Sequence, residues 1–204
     1  MNLSPIEGVA HRPAGDPDGV VLLAHGAGGN RDSVLLQRVC EVWAARGWLA
    51  VRYNLPFRRR RASGPPGGNG QADRDGILEA VGLARGLADG PLIAGGHSYG
   101  GRQTSMVAAA ASLDLLTLFS YPLHPPGKPE RARTAHLPDL TVPTVFVHGG
   151  RDPFGSLAEM HAAAALIPAA TEIVEVVDAR HDLASKTLDV PELAVSAALR
   201  LLGR

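Results

Sequence analysis

Ser98 stands in the run Gly95-Gly96-His97-Ser98-Tyr99-Gly100-Gly101. An apolar stretch, 91–94, leads in, and a helix-like stretch, 102–112, leads out. A serine with glycine two places either side, on a strand-to-helix turn, has the form of a nucleophile elbow, G-x-S-x-G. Such a turn forces the serine backbone into a strained conformation, and Gly96 and Gly100 let neighbouring chain pass without a Cβ clash. The hydroxyl is then held clear of the sheet, with the N–H groups of the following helix facing any oxyanion formed there. The bare pattern is weak, because chance alone supplies it about 0.14 times in a chain of this composition. The competing reading is a glycine turn in an ordinary doubly wound fold.

A hydroxyl is a poor nucleophile until a base takes its proton, and the base needs a carboxylate to orient it. Ser98, Asp152 and His181 follow the chain order serine, acid, histidine, each just beyond an apolar run. Of the eight histidines, only His181 comes after the acid in a loop at the right edge. His11 belongs to the N-terminal segment. His25 and His148 precede glycines and support turns, and His97 diverges from its neighbour Ser98. His124 and His136 lie in a proline-rich stretch, and His161 sits mid-helix facing solvent. The rival acids are Asp178 and Asp182, close to His181 in sequence, and Asp139, on the wrong edge. An oxyanion hole needs two backbone donors. One is the N–H of Tyr99, after the nucleophile. The other comes from loop 25–29, where Ala27 leads and Gly28 is second. That loop has neither the Lys-Ser/Thr ending of a P-loop nor a G-x-G-x-x-G spacing.

The elements that must position these groups are readable from continuous apolar runs, which suit strands buried on both faces. Strands are expected at 20–24, 48–53, 91–95, 115–121, 142–147 and 172–177, with a short edge strand within 6–11. Helices are expected at 33–46, 73–88, 99–112, 156–167 and 191–202. The alternation predicts an α/β fold: a doubly wound, mostly parallel sheet of about six to seven strands with helices on both faces. In a parallel sheet all strand C-termini share one edge, which is where open α/β sheets bind ligands. The polar clusters at 25–30, 96–101, 148–152 and 178–182 all follow strands, so topology alone brings them together.

The whole chain, 1–204, reads as one domain with a loosely ordered segment at 1–19 and a long flexible loop at 54–71. The loop carries Arg58 to Arg61 and then a run rich in Gly and Pro, too polar to pack. Four arginines there could attract an anionic substrate, but a solvated face is the better reading. Tyr53, Asn54, Phe57 and His124 are candidate pocket walls, beside Gly28. Cys40 reads as a buried small hydrophobe.

Composition narrows the class further. Twenty basic residues balance twenty acidic ones, so neither a nucleic-acid nor a membrane partner is implied. One cysteine excludes an internal disulfide and fits a reducing, cytoplasmic setting. No basic-then-apolar leader is visible and no apolar run approaches the roughly 20 residues of a membrane span. No metal-ligand constellation is present, and no cofactor is expected.

These motifs resemble those of α/β-hydrolases, in the compact branch grouped with dienelactone-hydrolase-like proteins. The chain is most similar to bacterial members resembling testis-expressed protein 30 and the third regulatory subunit of a chromatin acetyltransferase complex. The matching pieces are 25–29, 96–102, 121–128 and 150–155, over a resemblance that runs from about Val20 to the C-terminus. Many relatives carry lysine and methionine where this chain has His97 and Tyr99, which implies an altered pocket beside the serine. Dienelactone hydrolases proper use a cysteine nucleophile, so their reaction does not transfer to a serine elbow. With only about 20 residues between the strands flanking 122–141, no substantial lid is expected. The resemblance implies a serine hydrolase acting on a small-molecule ester, thioester or related acyl bond. The alternative is a hydrolase-fold interaction or regulatory module with little turnover.

Overall fold

The computed structural model describes residues 2–204. The apolar runs form a seven-stranded sheet: β1 (Val9–His11), β2 (Val20–Ala24), β3 (Leu49–Tyr53), β4 (Leu92–His97), β5 (Leu115–Phe119), β6 (Thr144–Gly149) and β7 (Thr171–Val176). Their spatial order is β1-β3-β2-β4-β5-β6-β7, with β1 antiparallel to β3 and the other pairs parallel. The helices are α1 (Val34–Ala45), α2 (Pro56–Arg60), α3 (Gln71–Ala84), α4 (Tyr99–Ser105), α5 (Ala108–Ala111), α6 (Leu157–Ala164) and α7 (Val190–Leu201).

Strand side chains alternate between two apolar layers, as the two-residue strand period requires. Val21 and Leu23 of β2 join Leu36, Val39 and Cys40 of α1 and Val195 and Ala198 of α7 on one face. Val20, Leu22 and Ala24 join Ile77 and Ala80 of α3, with Met160 of α6, on the other. Every residue of β2, β3 and β5 is buried, and all but Arg52 and Thr117 are apolar, which is why these strands read as apolar runs.

After β2 the chain turns one way to β3, then crosses back over β2 to β4 and continues to β7. The reversal lies between β2 and β4, paired in register from Val20 with Leu92 to Ala24 with Gly96. Loops leaving neighbouring strands at such a reversal part to opposite faces and leave a crevice between them.

Three expectations are corrected. Segment 54–71 does not run as an unpacked loop: Leu55, Pro56, Phe57 and Arg58 are buried and Pro56 opens α2. Proline at the first turn is preorganised for a helix, so the arginine run starts inside one. The N-terminal segment contributes more than a loose tail, since Ile6 is buried in the core and β1 pairs with β3. The helix expected over 99–112 is two, α4 and α5, broken at 106–107. Thr104 Oγ1 donates to the Gly100 carbonyl four residues back, a bond that bends helices. Between β5 and β6 the described residues hold only two short 3₁₀ turns, Pro129–Arg131 and Leu137–Asp139, so no lid stands over the sheet edge. No described helix is long and apolar enough to cross a membrane.

Candidate active site

Ser98 follows β4 directly and adopts φ 51°, ψ −116°. For a residue with a side chain this region costs on the order of 1–3 kcal/mol and persists only where surrounding contacts impose it. Here the Ser98 N–H donates to the Phe119 carbonyl at 2.8 Å. Gly96 has φ 154°, and a Cβ on it would lie 2.2 Å from the Ala24 carbonyl oxygen. A Cβ on Gly100 would lie 2.4 Å from the His25 oxygen. Only glycine lets β2, the elbow and the start of α4 approach this closely.

His181 Nε2 lies 2.8 Å from Ser98 Oγ, and its Nδ1 lies 2.8 Å from Asp152 Oδ2. The Asp152 side chain is fully buried, and its Oδ1 accepts the Phe154 N–H at 2.9 Å. The Phe154 ring covers the imidazole at 4.3 Å between centroids. With one carboxylate oxygen on the backbone and the other on Nδ1–H, Nε2 is left as the acceptor facing the serine. The rival acids bond elsewhere: Asp178 to Ser185, and Asp182 to the Ala184 N–H. His97 diverges from Ser98 as expected. Its Nε2–H donates to the His181 carbonyl at 2.8 Å, and burial lowers its pKa, so a neutral ring pins the backbone of His181.

On the other side of Ser98 lies loop 25–29. His25 is buried, and its Nε2 accepts the Leu55 N–H at 3.2 Å. The proton therefore sits on Nδ1, which donates to the Gly26 carbonyl at 2.8 Å. The same carbonyl accepts the Gly29 N–H at 3.1 Å. In a planar trans peptide the Ala27 N–H points opposite to that carbonyl. Among the described residues, neither the Ala27 N–H nor the Tyr99 N–H donates to a protein acceptor. Gly26 brings the loop to the elbow: a Cβ there would lie 3.5 Å from Ser98 Cβ.

Two residues to which sequence reasoning gave no such role hold these donors in place. Arg58, 7% exposed, sends Nε to the Gly29 carbonyl at 2.8 Å and Nη2 to Ala27 at 3.0 Å and Gly64 at 3.2 Å. Asp73 of α3 accepts the Phe57 N–H at 2.9 Å and the Tyr99 hydroxyl at 2.7 Å. Phe57 sets its ring edge-on to both His25 and Tyr99, with the Arg58 guanidinium over its face. One buried network thus ties loop 25–29 to the residue after Ser98.

The family model described as an alpha/beta hydrolase domain matches residues 17–193. The chain belongs to the alpha/beta hydrolase family. Solved structures of similar fold include Est1E from Butyrivibrio proteoclasticus, 17% identical over 100% of this chain and 98% of that one, with TM-score 0.79. The dienelactone hydrolase of Anabaena variabilis is 22% identical over 94% and 88%, TM-score 0.72. XC6422 from Xanthomonas campestris, described as an α/β serine hydrolase without a lid, is 18% identical over 95% and 87%, TM-score 0.71. No curated protein matches the sequence.

In this α/β-hydrolase several expected pocket walls lie elsewhere. Tyr53 is in the core with Leu49 and Val51, and burial raises its pKa. Asn54 bonds Glu7 and the Arg31 N–H, tying the N-terminal turn to β3. Phe57 lies beneath loop 25–29. His124 is buried and bonds the Pro125 carbonyl and Glu159, anchoring the proline-rich segment to α6. Gly28 is exposed at the loop tip, with open space where a Cβ would stand. The arginine run is no free cationic patch: besides Arg58, Arg59 bonds the Pro5 carbonyl and Glu79, and Arg61 bonds the Pro65 carbonyl. Among the described residues no group of three or more His, Cys, Asp or Glu could hold a metal ion.

Proposed function

We propose that this protein is a serine hydrolase cleaving a carboxylic ester, thioester or related acyl bond through an acyl-enzyme. The observation that carries the reading is the Ser98–His181–Asp152 relay, with both hydrogen bonds at 2.8 Å. Ser98 Oγ attacks the acyl carbon while His181 Nε2 takes its proton. The carbonyl electron pair moves onto oxygen, facing the N–H groups of Ala27 and Tyr99. As the intermediate collapses, the bond to the leaving group breaks and His181 returns the proton to that group. Water, deprotonated by His181, then attacks the acyl-enzyme and releases the acid and the Ser98 hydroxyl. Asp152 holds the imidazole tautomer and balances its positive charge. The strained elbow and the two N–H groups without protein acceptors support turnover over a purely scaffolding role, which needs neither.

A fluorophosphonate probe tests this. It labels wild type and not Ser98→Ala, and the same substitution lowers ester turnover by about 10⁴-fold or more. A wild type that does not label, or a Ser98→Ala variant that labels equally, overturns the assignment.

A further inference from the structure

One cleft opens beside His97, next to the proposed nucleophile. It has a volume of about 430 Å³ and runs between the start of α1 and the segment joining His181 to α7. Small-molecule sites span about 300–1,000 Å³. Val34, Leu35, Leu183, Leu188, Val190 and Pro191 supply its apolar wall. Six large apolar side chains stand well exposed among the described residues, and two of them, Val34 at 71% and Leu188 at 40%, line this cleft. Paired exposed apolar side chains around a cavity mark a binding surface more than scattered ones do.

The cleft is lined by chain neighbours of the proposed machinery, though not by Ser98, His181 or Asp152 themselves. His97 lines it and immediately precedes Ser98. Asp182 and Leu183 line it and immediately follow His181. Ser33 and Val34 line it just beyond loop 25–29. Resting on the reading of Ser98 as nucleophile, we infer that this cleft holds the acyl chain of the substrate, past His97, and that the substrate is a neutral medium-length aliphatic or aromatic acyl ester or thioester.

Charge argues for neutrality. The cleft's cation, Arg38, faces Asp189 at 3.6 Å. Asp182 stands in the wall with no salt-bridge partner among the described residues, its Oδ1 accepting the Ala184 N–H. His97 is neutral and its Nε2–H is engaged by the His181 carbonyl. A second carboxylate on the acyl chain would meet Asp182 and gain no partner. On the opposite side of Ser98, Arg58 lines a second cavity beside Ala27 and Gly28, but its Nε and Nη2 already donate to the carbonyls of Gly29, Ala27 and Gly64. Each methylene that leaves water for an apolar wall raises kcat/KM by up to about fourfold.

The test uses 4-nitrophenyl acetate, butyrate and octanoate on wild type, Val34→Trp and Leu188→Glu. Both positions are exposed, so the variants fold. The wild type prefers octanoate to acetate by tenfold or more in kcat/KM. Val34→Trp fills the cleft and Leu188→Glu charges it, and each lowers that ratio by tenfold or more. Leu166→Trp, just beyond the C-terminus of α6 and outside the cleft lining, leaves the ratio unchanged. A second measurement needs no turnover: saturation-transfer NMR of N-butyl octanamide with Ser98→Ala, which binds, and Ser98→Ala/Val34→Trp, which does not. If the fluorophosphonate labels Ser98 but the chain-length ratio is flat or indifferent to Val34, the cleft assignment is wrong and the hydrolase reading stands. If nothing labels but the amide still binds in a Val34-dependent way, the hydrolase reading is wrong and the cleft stands as an acyl-binding site. Amide binding that ignores Val34 overturns the cleft outright.

Discussion

The two flanks of Ser98 are built differently. On the side of loop 25–29, His25, Arg58, Asp73 and Tyr99 bond one another's elements through buried polar atoms. On the side of His181, the bonds of Asp178, Asp182 and Ser185 are solvent-exposed, and a largely apolar cleft opens beside His97. On the proposed reading the first flank holds donors that must be aimed before charge develops, and preorganised dipoles stabilise a transition state without reorganising. On the same reading the second admits acyl groups of differing shape, which apolar walls do without demanding a fixed hydrogen-bond pattern.

The strongest way to sharpen this contrast is to neutralise the buried carboxylate bonded to His181, the proposed base. Asp152→Asn is expected to lower kcat by about 10⁴-fold, because the imidazole then takes the wrong tautomer. Steady-state hydrolysis of 4-nitrophenyl acetate reads it, and a loss under tenfold would break the assignment of Asp152. Next comes stability against acid. Burial holds the pKa of His25 at about 4, against an ordinary 6.5. Between those values the unfolded chain binds a proton that the native chain does not. The contribution is therefore fully present above about pH 6.5 and fades by about 3 kcal/mol as pH falls toward 4. Burial lowers the pKa of His97, His136 and His148 as well, which steepens the same slope. Urea unfolding near pH 7 and near pH 5 measures it, and a His25→Leu variant, though weaker overall, shows a shallower slope.

Arg58→Met frees the carbonyls of Ala27 and Gly29 and is expected to lower kcat about 10²-fold with KM within threefold, the mark of lost aim rather than lost binding. Arg58→Lys does not rescue it, since an ammonium cannot span the same carbonyls as a planar fork. A matched rise in KM would move Arg58 from positioning donors to holding substrate. The smallest effect is expected from Tyr99→Phe, which leaves one oxygen of the buried Asp73 without its hydroxyl donor. Stability falls by about 1–2 kcal/mol in thermal or urea unfolding, and kcat by tenfold at most.

The same contrast explains what was legible in the sequence. Strands buried on both faces announce themselves as apolar runs, and parallel topology sends every cluster that follows them to one edge. The relation of Ser98 to Asp152 and His181 rests only on that, so spacing sufficed to group them. Arg58 and Asp73 sit instead in a basic run and in the first turn of a helix, where charged residues are ordinary. Their partners are backbone carbonyls, a backbone N–H and a hydroxyl brought close only by the folding of α2 under loop 25–29, which no local pattern encodes. Tyr53 was readable in principle: it shares the period of Leu49 and Val51 and so faces the same apolar layer. Being next to the strand end outweighed that period and placed it at a pocket it does not reach.

Cys40 has one further consequence. It is the chain's only thiol, lies fully buried on the sheet-facing side of α1, and burial pushes its pKa up to about 12. A reagent can reach the sulfur only when α1 lifts from the sheet. Its alkylation rate under native conditions is therefore a built-in clock for opening of that half of the molecule.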